Sequence, residues 1–304
     1  MHCSKCSKEA ITFIRYNGTY LCRQHFIEFV EKRVRKEIRK QGLPKGNIAV
    51  ALSGGKDSIV ACYLLWKIIH KDKSRNIYAI TVDEGIAGYR NATIKIAKKF
   101  CNEYSIPHHI ISFKEEIGFT LDEVSKVRGE LAECTYCGVW RRYCLNKVAI
   151  EIDAKAIAMG HNLDDVAQTI LMNFVRGDVE RMARMAPHKR IQPGLIPRIL
   201  PLRTIPEKET TLYAYIKGFD VSEDECPYAL RAMRGIYRDF IMQLEEQHPG
   251  SRHSILKSFL EIEDCLREKY EAAKLKPCKL CSQPSSEAIC MACQLREKIK
   301  GREG

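Results

Sequence analysis

An α/β fold is what this sequence predicts: a parallel sheet covered by helices, with a small metal-binding unit at each end of the chain. Three observations predict it. Short apolar runs alternate with helical patterns between Ile48 and Met159. The first of these runs leads through Ser53-Gly54-Gly55-Lys56-Asp57-Ser58 straight into an apolar helix. Nine of the fourteen cysteines fall into five Cys-x2-Cys or Cys-x2-His units, four of them at the chain ends.

The elements follow in order. Cys3-x2-Cys6 and Cys22-x2-His25 bracket a stretch, Ala10 to Leu21, whose alternation and central Asn17-Gly18 predict a short hairpin. Phe26 to Lys40 is helical, with Phe29, Val30, Val34 and Ile38 on one face and six basic residues around the rest. Gly42, Pro44 and Gly46 end it. Ile48 to Leu52, Asn76 to Val82, His108 to Phe113 and Ala154 to Met159 read as buried strands, and Ile59 to His70 and Ile94 to Tyr104 as the helices between them. Strands alternating with helices imply a parallel sheet covered on both faces. From Pro187 to Pro206 the proline density predicts a loop, followed by a helix from Glu207 to Gly218 and a mostly helical stretch from Tyr228 to Tyr270. The chain closes on Cys278-x2-Cys281-x8-Cys290-x2-Cys293 and a basic tail from Arg296 to Arg302. The expected units are 1–25 (metal-binding), 26–46 (linker helix), 47–227 (main α/β domain), 228–274 (helical) and 275–304 (metal-binding unit and tail).

Composition narrows the class. The 304 residues are 45% hydrophobic and 29% charged, ordinary for a globular enzyme. No apolar run is long enough to span a bilayer, and the N-terminus lacks a signal-peptide core, so a cytoplasmic protein with no membrane partner is expected. The formal net charge of +12 fits a polyanionic partner. Metal-bound thiolates would bring the working charge to roughly +8, still basic. A disulfide scaffold suits short secreted chains, so metal binding is the better account of the cysteines.

The loop has a direct physical use. Gly54 and Gly55 let the backbone approach phosphate oxygens, the helix start at Asp57 to Ile59 offers free N–H groups, and Ser53, Ser58 and Lys56 add donors and charge. Asp57 is a candidate to hold Mg²⁺ or to orient the loop. The spacing is not that of a Walker A loop. Here the sequence resembles the PP-loop ATPases, marked by Ser-Gly-Gly-x-Asp-Ser. The resemblance implies that ATP is cleaved between its α- and β-phosphates to adenylate a carbonyl oxygen, with the strand end at Thr81-Val82-Asp83 contacting adenine.

Cys134 and Cys137 share one turn, and Cys226 lies far along the chain in Glu225-Cys226-Pro227. Three thiols cannot close a tetrahedral zinc site alone but can hold three corners of a [4Fe–4S] cluster. A structural zinc, thioredoxin-like redox chemistry and Cys144 as an alternative ligand are the other readings. Cys62, Cys101 and Cys265 read as packing residues. Together with Gly160-His161-Asn162-Leu163-Asp164-Asp165, these cysteines make the chain similar over nearly its whole length to tRNA 2-thiouridine synthetases of the TtuA and wobble-thiolase type. That resemblance implies one zinc on Cys3, Cys6, Cys22 and His25, a second on Cys278, Cys281, Cys290 and Cys293, and a cluster on Cys134, Cys137 and Cys226. It implies ATP with Mg²⁺ on the loop, with Gly160 beside it, and tRNA as the partner that supplies a uridine. Arg141 stands where some relatives carry lysine. Arginine does not titrate, so charge stabilisation on ATP is its expected role. Asp164 or Asp165 is expected to bind Mg²⁺ or move a proton, and His161 is a candidate acid or base. Phosphate contacts are expected from Arg33 to Lys40, from Arg176 to Arg190 and from the tail. Asn173 to Asp178 and Arg234 to Asp239 favour the wobble uridine over the T-loop uridine. The sulfur is expected from a ubiquitin-like carrier or free sulfide, and a homodimer is expected. A PP-loop ligase or amidotransferase acting on another substrate is the alternative reading.

Overall fold

The computed structural model describes residues 1–127, 131–188, 192–222, 224–228, 234–270 and 274–301. The chain opens on an antiparallel hairpin, β1 (Thr12–Ile14) and β2 (Thr19–Leu21). Gly18 turns it at φ 67°, but Arg15–Asn17 form a 3-10 turn, so the connection is longer than the two-residue turn that Asn17-Gly18 suggests. Helix α1 (Arg23–Gln41) begins at Cys22 as its extended N-cap, earlier than the pattern implied, and so carries His25 on its first turn.

The central sequence then runs β3 (Gly46–Ala51), α2 (Lys56–Ile69), β4 (Arg75–Asp83), α3 (Arg90–Glu103), β5 (His108–Ser112), α4 (Phe113–Ile117), α5 (Leu121–Lys126) and α6 (Glu133–Glu151). It continues through β6 (Ala154–Ala158), α7 (Leu163–Val175), α8 (Val179–Ala183), β7 (Arg198–Ile199) and α9 (Glu207–Lys217). The final third holds α10 (Arg234–Gln247), α11 (Ser251–Lys269), a small hairpin of β8 (Lys276–Pro277) and β9 (Pro284–Ser285), and α12 (Met291–Lys300). The expected helical stretch from Tyr228 to Tyr270 is α10 and α11, while residues 229–233 lie outside the described residues.

The five-stranded sheet is parallel throughout, in the order β5-β4-β3-β6-β7. The fifth strand, β7, lies inside the proline-rich stretch read as loop, and only two residues of it pair. Ile48 and Val50 of β3, with Leu52 just beyond it, pack on one side with α1, α2 and α9. Ala49 faces the other side, where α6 and the C-terminal unit pack. This alternation is the period-two pattern of a strand buried on both faces. A third cluster joins Leu163, Val166 and Ile170 of α7 to Leu256 and Phe259 of α11.

Strand order places the site. From β3 the chain moves outward to β4 and β5, then returns to the other side of β3 as β6. The order reverses between β3 and β6, and ligands of open α/β sheets sit beyond the strand ends at such a point. The loop after β3 is Ser53 to Gly55, and the turn after β6 carries Gly160.

Two expectations about surface residues need correcting. Arg33 does not face solvent as a phosphate contact. It pairs with Glu209 at 2.6 Å and donates to the Tyr16 hydroxyl at 2.6 Å, tying α1 to α9. A guanidinium with buried partners is a structural strut, whereas Lys32, Arg35, Lys36, Arg39 and Lys40 of that helix are exposed. Cys265 is exposed on α11 rather than packed, whereas Cys62 and Cys101 are buried as expected. Lys189, Arg190 and Arg302 of the expected basic segments lie outside the described residues.

Candidate active site

The phosphate loop is held by its own hydroxyls. Ser58 Oγ accepts from Ser53 N–H at 3.1 Å and lies 3.0 Å from Ser53 Oγ, and it donates to the Gly55 carbonyl at 2.8 Å. Gly54 sits at φ +87°, and a Cβ there would fall 2.2 Å from the Thr93 carbonyl oxygen, so no other residue fits. Gly160 meets the loop from β6: a Cβ on it would lie 2.9 Å from Ser58 N. Ser222 N–H donates to the Gly54 carbonyl at 3.2 Å and closes the third side.

Lys56 Nζ lies 2.9 Å from Asp57 Oδ2 and 2.7 Å from Glu207 Oε1. Burial opposes its charge, but these two carboxylates outweigh that and raise its pKa, so it stays cationic. Asp57 Oδ1 also accepts from Thr210 Oγ1 at 2.6 Å. Two acids thereby orient the one cation of the loop.

The cleft above the loop has a volume of about 670 Å³, within the range of small-molecule sites. Ser53, Lys56, Asp57 and Ser58 line one end. Ala51, Ile80, Val82 and Met159 form an apolar wall that suits a purine face. Gly160, packed against Ser58, and its neighbour His161 also line the cleft, and Arg141 lines it away from the loop. The Val82 carbonyl is occupied by Arg90.

Helix α6 brings the central cysteines to that far end. Its four-residue spacing buries Tyr136, Trp140, Cys144 and Val148 against the sheet and turns Cys134 and Arg141 outward. Arg141 Nη2 donates to Cys137 Sγ at 2.8 Å, and Arg141 Nε lies 3.0 Å from Glu84 Oε1. The other oxygen of Glu84 lies 2.6 Å from Arg90 Nε, in a pair whose side chains are 6% and 4% exposed. Arg90 in turn donates to the Ser53 carbonyl at 3.1 Å. One chain of charges therefore joins Cys137 to the phosphate loop: Cys137, Arg141, Glu84, Arg90, Ser53. Burial pushes the Cys137 thiol up, and Arg141 pulls it back.

Cys226 sits at this end too, close enough to Cys134 and Cys137 for their charges to interact, and it packs against the same core. The three thiols do not converge within 4.8 Å as the ligand atoms of both chain ends do. Cys144 points into the core, where burial pushes its thiol up to about 12, away from the cleft.

The two acids after Gly160 differ. Asp164 is buried, accepts from Glu207 N–H at 2.8 Å and pairs with Arg252 at 2.6 Å. Burial raises its pKa against those partners. Asp165 closes a capping box with Asn162 at the start of α7 and pairs with Arg234 at 3.2 Å. Neither lines the cleft, whereas His161 does. Desolvation by the cleft walls, reinforced by Arg234, Arg141 and Arg198 and opposed by Asp165, lowers the His161 pKa.

At the N-terminal end, Cys3 Sγ and Cys22 Sγ lie 3.3 and 3.4 Å from His25 Nδ1, and Cys6 Sγ lies 3.8 Å from Cys22 Sγ. At the C-terminal end, Cys281 and Cys290 are 3.6 Å apart, and backbone N–H groups of Leu280 and Cys290 point at Cys278 Sγ. These separations approach the tetrahedral edge of about 3.8 Å expected for thiolates 2.3 Å from one ion. They are far too long for disulfides, and all fourteen cysteines are free. Burial alone would raise the thiols of Cys3 and Cys278. Hydrogen bonds, chiefly from backbone N–H groups, outweigh it and hold each at about 6, the thiolate form a metal takes.

Sequence reasoning missed Glu84, Arg90 and Glu207. The signal for Glu84 is its place just beyond Asp83, at the end of a strand beside the switch point, where charged residues face ligand.

Residues 27–245 match the PP-loop domain, and residues 2–27 match the N-terminal LIM domain of the 2-thiouridine synthetase TtuA. The tRNA 2-thiolation protein NcsA of Haloferax volcanii is 37% identical, over 99% of both chains. The tRNA-5-methyluridine(54) 2-sulfurtransferase of Pyrococcus horikoshii is 36% identical, over 97% of this chain and 93% of its own. The solved U34-tRNA thiolase NcsA of Methanococcus maripaludis, described with its [4Fe–4S] cluster, superposes with a TM-score of 0.80 at 39% identity, covering 87% of this chain and 88% of its own. By its loop, its terminal cysteine modules and this whole-length likeness, the chain belongs to the PP-loop family of tRNA 2-thiolation proteins.

Proposed function

We propose that the chain is an ATP-dependent tRNA uridine 2-sulfurtransferase acting on the wobble uridine. The observation that carries this reading is one cleft with a phosphate loop at one end and Arg141, hydrogen-bonded to Cys137, at the other. ATP lies with its phosphates on Ser53 to Ser58 and its base on the Val82 wall. Asp57 and Glu207 are the carboxylates that would hold the accompanying Mg²⁺. The uridine C2 oxygen attacks the α-phosphorus, the bond to the β-phosphate breaks, and pyrophosphate leaves. Arg141 opposes the charge on the α-phosphate. Hydrosulfide then attacks C2, the C2–O bond breaks, and AMP departs with that oxygen. His161, kept toward neutral by its surroundings, takes the sulfur's proton, and Asp165 and Arg234 fix the turn that holds it. The uridine must leave its stack to reach C2 into this cleft.

Cys134, Cys137 and Cys226 fit a three-ligand [4Fe–4S] cluster better than a single ion. They gather at one end of the cleft without the close tetrahedral grouping of the terminal modules, and the nearby fourth thiol, Cys144, faces the core. When bound, such a cluster supplies an iron free of protein ligands to which sulfide can attach. The terminal modules fit one zinc each. Elemental analysis of protein purified without air is expected to give two zinc and four iron per chain. A zinc count below one would refute the terminal assignment.

The wobble position is favoured by the likeness to the U34 thiolase. Reaction with unmodified tRNA, followed by nuclease digestion and mass measurement, is expected to place 2-thiouridine in the anticodon fragment. Sulfur found only in the T-loop fragment would assign the other member of the family's chemistry.

A further inference from the structure

A second cavity, of about 290 Å³, lies between α8, α11, β7 and the C-terminal cysteine module. Arg184, His188, Arg198, Arg267, Tyr270 and Ser286 line it. Two of its cations are already paired. Arg184 pairs with Glu180, and Arg267 pairs with Glu263 at 2.7 Å while donating to the Pro187 carbonyl at 2.9 Å. Arg198 has no carboxylate at ion-pair distance among the described residues. Its backbone is fixed by β6, opposite Ile157, and by His188 N–H, which donates to its carbonyl at 3.1 Å.

What surrounds Arg198 is more positive charge. Burial, together with Arg142 of α6, brings its pKa down to about 10. Burial also brings His188 down to about 4, with Arg198 and Arg267 adding to the effect. Arg142 is itself close to Arg141 and Arg181 and has no carboxylate partner among the described residues. Guanidiniums held together without anions are stable only if an anion is supplied or if water reaches them. Here the two without a carboxylate among the described residues are Arg142, exposed on α6 next to the Glu84-paired Arg141, and Arg198, half-buried in this cavity. The far wall belongs to the C-terminal module, which Asn146 fastens to α6 through Gln283 Oε1 at 2.9 Å.

We propose that this cavity binds a backbone phosphate of the tRNA, with Arg198 as its central ligand and the C-terminal cysteine module as its outer wall. The inference rests on tRNA being the substrate. It gives the module a task beyond stapling the chain end, since it shapes a site that anchors the RNA while the uridine occupies the catalytic cleft. Arginine suits the role because its planar fork matches phosphate oxygens. A backbone contact positions RNA without reading its sequence.

The test is tRNA affinity of the metal-loaded protein across a salt series, for the wild type, Arg198→Gln and Arg184→Gln. Arg198→Gln is expected to weaken binding about tenfold at moderate salt and to flatten the plot of log K against log salt by nearly one unit. The loss should be the same for tRNAs of different anticodon sequence. Arg184→Gln, at the rim, should shift both quantities in the same direction by less. Affinity and slope unchanged in both variants would overturn the proposal, as would a loss confined to one anticodon. If Arg198→Gln loses its cooperative melt, Arg184→Gln carries the test. A wild-type protein that does not bind tRNA would defeat the proposed function itself, before the cavity comes into question.

Discussion

Glu84→Gln is expected to lower both the stability of the protein and its rate of thiolation. Glu84 lies between Arg90 and Arg141 and is, among the described residues, the one carboxylate in an ion pair with either. Removing its charge leaves the buried Arg90 guanidinium without a counter-ion. Breaking a buried pair in this way costs about 3–5 kcal/mol, because the remaining charge stays desolvated. For a chain of this size that is a fall in melting temperature of roughly 10 °C. The same change removes the charge that holds Arg141 beside Glu84 and so loosens its direction relative to the loop, leaving its hydrogen bond to Cys137. Misplacing such a group by about 1 Å costs on the order of 100-fold in rate. Thermal melts and single-turnover thiolation read the two effects separately. A variant that melts and reacts like the wild type would show that the charge chain is incidental.

Cys137→Ala separates the two halves of the reaction. The phosphate loop makes no contact with Cys137 except through Arg141, Glu84 and Arg90. Iron content and visible absorbance should be lost, while both terminal modules keep their metal. Thiolation should fall by more than about 100-fold, the upper limit for disturbing only the partners of a metal ligand. Pyrophosphate release that depends on tRNA and ATP should persist, because its groups remain in place. Equal loss of both activities would mean that adenylation also depends on the cysteine end.

How legible the site was depended on how local its signal is. The loop could be read because Gly54 has one possible conformation against Thr93, and such a constraint shows in a short motif. The terminal modules could be read because their ligands come in tight pairs. Helix α6 was not read, although Tyr136, Trp140, Cys144 and Val148 recur every four residues, because its exposed turns carry cysteine and arginine rather than an ordinary polar face. Strand β7 has two paired residues among prolines, too few for any periodicity. Glu84 is one acid after a strand, and its importance comes from Arg90 and Arg141, which approach it from opposite ends of the cleft. Asp164 and Asp165 are adjacent and chemically alike. Only the fold shows that one is buried against Arg252 while the other caps α7.

The central claim is that the uridine C2 oxygen is adenylated before sulfur arrives. A tRNA carrying oxygen-18 at C2 of the target uridine tests it directly. After one turnover with ATP and sulfide, the account predicts the label in AMP, bonded to phosphorus. Label appearing in water, or kept in the RNA while AMP forms unlabelled, would contradict it.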